Sequence, residues 1–250
     1  MAGGPGEPRM DYDVLMAEGP ASDSAGAPIT DVMFDFGNVL VRWDPAAVLV
    51  SRYSEDTARR FLDDSVSGFY AANDLMDAGA SIRDGVEFVA RGHGEPWASM
   101  MRFYLENFED SVLGVVPGAR VLIDDLRRAG IGVWGLSNWQ RDLYAATERR
   151  YDVLRRLDGV VVSGYVGLRK PDAAIFELAL RRFGIDRATT LFVDDKAMNV
   201  QGANRVGIRA VRSADPPPPR GLLFPARVPL APLLSGHSTL PPLPLFPGPL

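Results

Sequence analysis

From about Ile29 to Ser213 the chain alternates short apolar runs with amphipathic stretches, and this pattern constrains the fold more than any other feature. Thr30–Asp35, Ile131–Leu136, Gly159–Val162, Thr190–Val193 and Ile208–Val211 are apolar runs bounded by turn residues, the pattern of buried strands. Between them, Pro117–Ala129, Trp139–Leu157, Pro171–Phe183 and Lys196–Val206 read as helices. In the first, Ala119, Leu122, Ile123 and Leu126 share one face, with Pro117 suited to its start and Gly130 to its end. Strands that alternate with helices predict an α/β class, a doubly wound parallel sheet covered on both faces.

Residues 45–113 break the alternation. They carry helix-like patches at Ala46–Tyr53, Ser54–Asp64, Ile82–Arg91 and Trp97–Phe108, and no convincing buried strand. The reading is a helical cap inserted after the first strand, with the core formed by 29–44 and 114–213. An insertion there lies over the carboxyl ends of the strands, where open α/β sheets bind ligands. The aromatics Trp97, Phe103, Tyr104 and Phe108 are expected in the core of that cap, and His93 on its surface.

Residues 1–28 are rich in Gly, Ala, Pro and acidic residues and lack a signal peptide's basic start and apolar run, so they read as a flexible leader. Residues 214–250 are rich in proline and leucine and read as a disordered or polyproline-II tail. The prolines also rule out its uncharged part, Val228–Leu250, as a spanning helix. The expectation is a cytoplasmic protein.

Composition narrows the chemistry. A net charge of −5 offers no basic footprint for nucleic acid. With no cysteine, disulfides, thiolate metal sites and a cysteine nucleophile are excluded. Two histidines, His93 and His237, cannot build a histidine-rich metal centre.

What remains is a set of polar residues at successive strand ends. Asp35 closes the first strand, Ser137-Asn138 the second, Lys170-Pro171 opens the helix after the third, and Asp194-Asp195 closes the fourth. A doubly wound sheet brings all four into one crevice. Each has an ordinary structural explanation alone, as a cap, a loop acid or a solvated lysine. Together they make chemical sense. Three converging carboxylates repel unless a cation joins them, and oxygen ligands favour Mg²⁺. A carboxylate can attack phosphorus and form an acyl phosphate. Lys170 adds positive charge, and Ser137 with backbone N–H groups near Gly37 and Asn138 can donate to phosphoryl oxygens.

The chain resembles the haloacid dehalogenase superfamily in its phosphatase-containing branch. Phe34-Asp35-Phe36-Gly37-Asn38-Val39-Leu40 resembles that family's first motif, Leu136-Ser137-Asn138 its second, Gly167–Asp172 its third, and Phe192-Val193-Asp194-Asp195 with Asn199 its fourth. The opening motif is most similar to the sugar-1-phosphate phosphatase type. The resemblance implies Asp35 as nucleophile and metal ligand, with the Gly37 carbonyl and Asp195 as further ligands. Asp194 lies adjacent or acts through water. Ser137, Asn138, Gly37 and Asn38 would bind the phosphoryl group and Lys170 would neutralise charge. It implies a Mg²⁺-dependent phosphatase acting on a small phosphorylated metabolite, such as a sugar phosphate, through an aspartyl phosphate.

One departure stands out. Most phosphatases of the family carry an acid two residues after the nucleophile, and here that residue is Gly37. A general acid contributes about 10²–10⁴-fold. A cap residue such as Asp74 or Asp77 is a candidate to take its place. Trp43 and Trp139 follow the first two motifs closely and are candidates for substrate contact. Two alternatives stand on the same scaffold: a metal-independent 2-haloacid dehalogenase, for which Gly37 is no defect, and a phosphate-binding protein with weak turnover. A phospho-accepting receiver domain fits poorly, because there the acidic pair comes first in the chain.

Overall fold

A computed structural model describes residues 27–213. The tail and all but the end of the expected leader lie outside the described residues. In chain order the elements begin with β1 (Asp31–Phe34), β2 (Val41–Trp43), α1 (Pro45–Leu49), α2 (Glu55–Phe61), α3 (Asp64–Ser67), α4 (Phe69–Asp77), α5 (Ile82–Gly92), α6 (Trp97–Glu106) and β3 (Val112–Val115). They continue with α7 (Ala119–Arg128), β4 (Gly132–Ser137), α8 (Arg141–Arg150), β5 (Gly159–Val162), α9 (Ser163–Val166), α10 (Ala173–Phe183), β6 (Thr190–Asp194), α11 (Ala197–Arg205) and β7 (Arg209–Arg212).

Five strands form one parallel sheet in the order β5-β4-β1-β6-β7. The central strand β1 is buried on both faces, as its continuous apolar sequence requires. Val32 and Phe34 enter one hydrophobic cluster, while Met33 enters a second with Leu136, Val161, Phe176 and Phe192. Phe34 pairs with Gly135 on one side and Val193 on the other, so the ends of β1, β4 and β6 open onto the same edge. The chain order reverses around β1, which creates the crevice where such sheets bind ligands.

The segment between β2 and β3 is helical, and its local signals are the expected ones. Ser54 caps α2 by accepting from Thr57 N, and Ser81 with Asp84 forms a capping box on α5. These helices share the first hydrophobic cluster with the sheet: Phe61, Phe69, Met101 and Tyr104 pack in the same body as Phe34 and Phe36. The cap is therefore seated on the sheet through continuous apolar contact.

Four sequence expectations need correction. First, β2 and β3 pair antiparallel at the two points where the chain enters and leaves the insertion, and β3 begins at Val112 inside the stretch expected to hold no strand. Second, α3 and α4 occupy Asp64–Asp77, where no helix was expected beyond Asp64. Third, the helix expected over Trp139–Leu157 ends at Arg150. Tyr151 is extended, its hydroxyl donates to the Val112 carbonyl at 2.5 Å, and a 3₁₀ turn follows at Asp152–Arg156. Fourth, His93 is half-buried with Nδ1 3.0 Å from the Val66 carbonyl, so it ties the cap together and is not a free surface group. Among the described residues, no helix is long and apolar enough to cross a membrane.

Candidate active site

The site is built where β1, β4 and β6 end. Asp35 follows β1 directly, and its backbone N–H donates to the Val193 carbonyl at 2.8 Å, which fixes it to the end of β6. Its carboxylate is almost wholly buried, with only 10 % of the side chain exposed. Ser137 Oγ, from the end of β4, donates to Asp35 Oδ1 at 2.7 Å. Lys170 Nζ lies 2.9 Å from the same oxygen. Two donors on Oδ1 leave Oδ2 as the oxygen without a hydrogen-bond partner among the described residues.

Lys170 is buried at 1 % exposure and uses all three of its ammonium protons: on Asp35, on Asp194 Oδ2 at 2.6 Å and on the Leu136 carbonyl at 2.9 Å. Burial alone pulls its pKa down, but the two carboxylates outweigh that and the net direction is up. The loop that carries it is fixed at both ends. Asn138 accepts from Lys170 N at 2.8 Å and donates to Lys170 O at 2.9 Å. Gly202 of α11 approaches the loop so closely that a Cβ there would stand 2.6 Å from the Pro171 carbonyl.

Asp194 is fully buried and accepts four hydrogen bonds. Lys196 N and Asn199 Nδ2 bond Oδ1, while Lys170 Nζ and Asn199 Nδ2 bond Oδ2. A carboxylate has about four lone-pair sites, so these bonds fill it. Asp195 is half-buried, and Asn38 Nδ2 reaches its Oδ2 at 3.4 Å. Asn38 adopts φ +57°, a left-handed conformation that asparagine tolerates, and its other amide atom accepts from Trp43 N.

Asp35, Asp194 and Asp195 each present an oxygen within 4.8 Å of the others. Burial raises Asp35 to about 6, against the pull of Lys170 and with a further push from Asp194 and Asp195; Asp195 is raised by burial and by Asp194. Hard oxygen donors, crowded and mutually repelling, suit Mg²⁺. Because Asp194 is saturated by its own partners, Asp35 and Asp195 are the carboxylates with capacity left for an ion.

A cavity of about 800 Å³, mouth included, opens above these groups. Its floor is Asp35, Gly37, Ser137, Asn138 and Lys170, and its aromatic wall is Trp43, Tyr70, Phe108 and Trp139. Trp43 donates through Nε1 to the buried Tyr104 hydroxyl at 3.1 Å, so the cap's core props one wall of the site. Phe108 reaches the cavity from a position expected to be only cap core. The cap helix α4 contributes Tyr70, Asn73, Asp74 and Asp77. Positions 70, 73, 74 and 77 share a helical face, and Phe69, Ala72 and Met76 are buried on the opposite one. Of these polar residues only Asp74 and Asp77 were singled out from the sequence. Lys196 and Gln140 also line the cavity, and nothing in their sequence context marked them.

A parallel sheet with a helical insertion after its first strand, and a carboxylate–lysine cluster at the strand ends, defines a class of α/β hydrolase scaffold. The chain belongs to the haloacid dehalogenase-like hydrolase family, whose model matches residues 32–207. Among relatives, the sesquiterpene phosphatase astK of Aspergillus oryzae is 33 % identical over 102 residues, 40 % of this chain and 52 % of that protein. A glyceraldehyde 3-phosphate phosphatase of Pyrococcus abyssi is 30 % identical over 122 residues, 46 % of this chain and 49 % of that one. The alignments cover about half the length of these curated relatives. An enzyme of the same family from Bacteroides thetaiotaomicron, solved with magnesium and inorganic phosphate, superposes with a TM-score of 0.57 at 18 % identity, covering 74 % of this chain and 94 % of that one.

Proposed function

We propose that this protein hydrolyses the phosphate monoester of a small organic metabolite, with Asp35 as the acceptor of the phosphoryl group. The observation that carries this reading is the state of the Asp35 carboxylate. One oxygen is pinned by Ser137 and Lys170, and the other is left toward a cavity with a polar floor and an aromatic wall. Attack by the open oxygen forms an O–P bond. The bond from phosphorus to the ester oxygen breaks, and its electron pair leaves with that oxygen. Lys170 and Ser137 hold the carboxylate in line, which is where positioning lowers the barrier. Lys170 also offsets the negative charge that gathers at the floor. Asn138 acts on the phosphoryl group through Lys170, because its amide is committed to the Lys170 backbone, and Asn38 acts through Asp195 and Trp43 in the same way.

Asp35, Asp195 and the Gly37 carbonyl would hold a Mg²⁺ ion, with Asp194 behind them as the anchor of Lys170 and Asn199. A bound Mg²⁺ would supply charge neutralisation between the anionic substrate and the carboxylates. The wall of Trp43, Tyr70, Phe108 and Trp139 suits a leaving group with an apolar face, whether a sugar ring or a longer carbon skeleton.

The test is turnover of a phosphomonoester panel that includes p-nitrophenyl phosphate, with Mg²⁺ and with EDTA, by wild type and Asp35→Asn. Phosphate release that needs Mg²⁺ and disappears in Asp35→Asn supports the proposal. Chelator-resistant halide release from a 2-haloacid, with no phosphatase activity, would replace it with the dehalogenase reading.

A further inference from the structure

In this structure a Cβ built on Gly37 meets nothing within 4 Å, so the position beside the nucleophile offers neither an acid nor a side chain that could shield the leaving oxygen. Expulsion of an alkoxide needs a proton, and capture of the resulting phospho-aspartate by water needs a base. Four carboxyl groups line the cavity: Asp35, Asp74, Asp77 and Asp195. Asp35 is the acceptor. Asp195 belongs to the acidic trio. Asp74 is ion-paired to Arg169 Nη2 at 2.8 Å. Asp77 stands outside the trio and has no hydrogen bond or ion pair among the described residues.

Resting on the phosphatase reading, we infer that Asp77 of the cap is a catalytic residue that protonates the departing ester oxygen and then takes a proton from the attacking water. In the first step the Asp77 carboxylic acid gives its proton to the oxygen whose bond to phosphorus is breaking, and the alcohol leaves neutral. In the second, water attacks phosphorus and the bond between phosphorus and Asp35 breaks. The water's proton passes to the Asp77 carboxylate, which restores both groups.

Two features place it. Asp77 is the last residue of α4, and the core loop that carries Lys170 also holds this helix. Arg169 grips Asp74 one turn before Asp77, and a Cβ on Gly79, two residues beyond, would lie 3.7 Å from Gly167 Cα. One loop therefore fixes the acid on the cap and the lysine on the nucleophile. The electrostatics match the task. Burial, aided by Asp74 and Asp35 and opposed by Lys196 and Arg169, raises Asp77 to about 7, and the buried Tyr104 hydroxyl feels its charge from the cap side. A group poised there can both give and take a proton near neutral pH.

The experiment compares wild type, Asp77→Asn and Asp77→Asn/Gly37→Asp on ethyl phosphate, whose leaving group needs a proton, and p-nitrophenyl phosphate, whose leaving group does not. Asp77→Asn should lower kcat/KM for ethyl phosphate about 10²-fold or more and abolish its alkaline limb near 7. With p-nitrophenyl phosphate it should keep a rapid burst of one nitrophenolate per site, followed by slow turnover. Gly37→Asp, which brings a carboxyl into the open space, should restore at least tenfold of the lost ethyl phosphate activity. Equal losses on both esters without a burst, or no rescue by Gly37→Asp, would assign Asp77 a structural role and overturn the inference. An active wild type matched by Asp77→Asn overturns it while leaving the phosphatase reading intact. A wild type inert toward both esters overturns that reading and the inference with it.

Discussion

Replacing Lys170 by methionine removes the cation that, among the described residues, the buried Asp35 and Asp194 share. Its side chain is 1 % exposed and its ammonium group bonds Asp35, Asp194 and the Leu136 carbonyl, so methionine of similar length leaves two carboxylates facing each other in a dry site. Breaking a buried ion pair from one side costs about 3–5 kcal/mol. The cost depends on pH in a defined direction. Asp35 in the folded protein is raised from 3.8 to about 6, so the folded state holds a proton the unfolded chain has lost, and stability falls as pH rises between those values. Without Lys170, which pulls Asp35 down, the rise is larger and the loss extends to higher pH. Lys170→Met should therefore cost about 3–5 kcal/mol at pH 8 and less than about 2 kcal/mol at pH 5, where Asp35 carries its proton and repulsion is relieved. Urea unfolding in EDTA at the two pH values measures this. Adding Asp35→Asn to Lys170→Met should recover at least about 1 kcal/mol at pH 8. A cost below about 1 kcal/mol, or one equal at both pH values, would refute the view that Lys170 is the counter-charge of a repelling cluster.

Further outcomes follow from the same contacts. Asn199→Ala strips both Asp194 oxygens of a donor and should lower stability by about 1–3 kcal/mol, read from the same unfolding curves. Asp195→Asn should weaken Mg²⁺ binding by roughly tenfold or more in calorimetric titration, with little change in melting temperature in EDTA. Arg169→Met breaks a partly exposed ion pair to Asp74, so unfolding should shift by less than about 1 kcal/mol, while KM rises because α4 is no longer held against the Lys170 loop.

The strands at the centre of the sheet were legible because each is buried on both faces, and their apolar runs end where the site begins. Thr190–Asp194 is the clearest case, buried at every position. The convergence of Asp35, Ser137 and the Asp194-Asp195 pair followed from their places at the ends of parallel strands that open onto one edge, while Lys170 arrives on the loop between α9 and α10. The misses share a physical cause: their order depends on distant partners. Val41–Trp43 and Val112–Val115 are too short to show a period of two, and each is a strand only because the other closes against it. Helix α4 escaped notice because its polar residues line the cavity while Tyr70 and Leu75 are exposed apolar side chains. Asn73, Asp74 and Asp77 turn to the cavity, so charged and apolar residues are both in use and the contrast that marks a surface helix is weak. Lys196 and Gln140 carry no local signal of their place on the cavity wall. The sequence does mark Asn138 and Asn38 as site residues, but not that their amides face the protein: Asn138 clamps Lys170, and Asn38 bridges Asp195 and the Trp43 backbone.

The account rests on Asp35 carrying the phosphoryl group, and the most direct measurement is mass spectrometry of the Asp35 peptide after rapid acid quench of the protein with p-nitrophenyl phosphate and Mg²⁺. The expected result is one phosphoryl group on Asp35, formed within the first turnover and absent from Asp35→Asn. Continued turnover with Asp35 unmodified, or the phosphoryl group found on another residue, would contradict it.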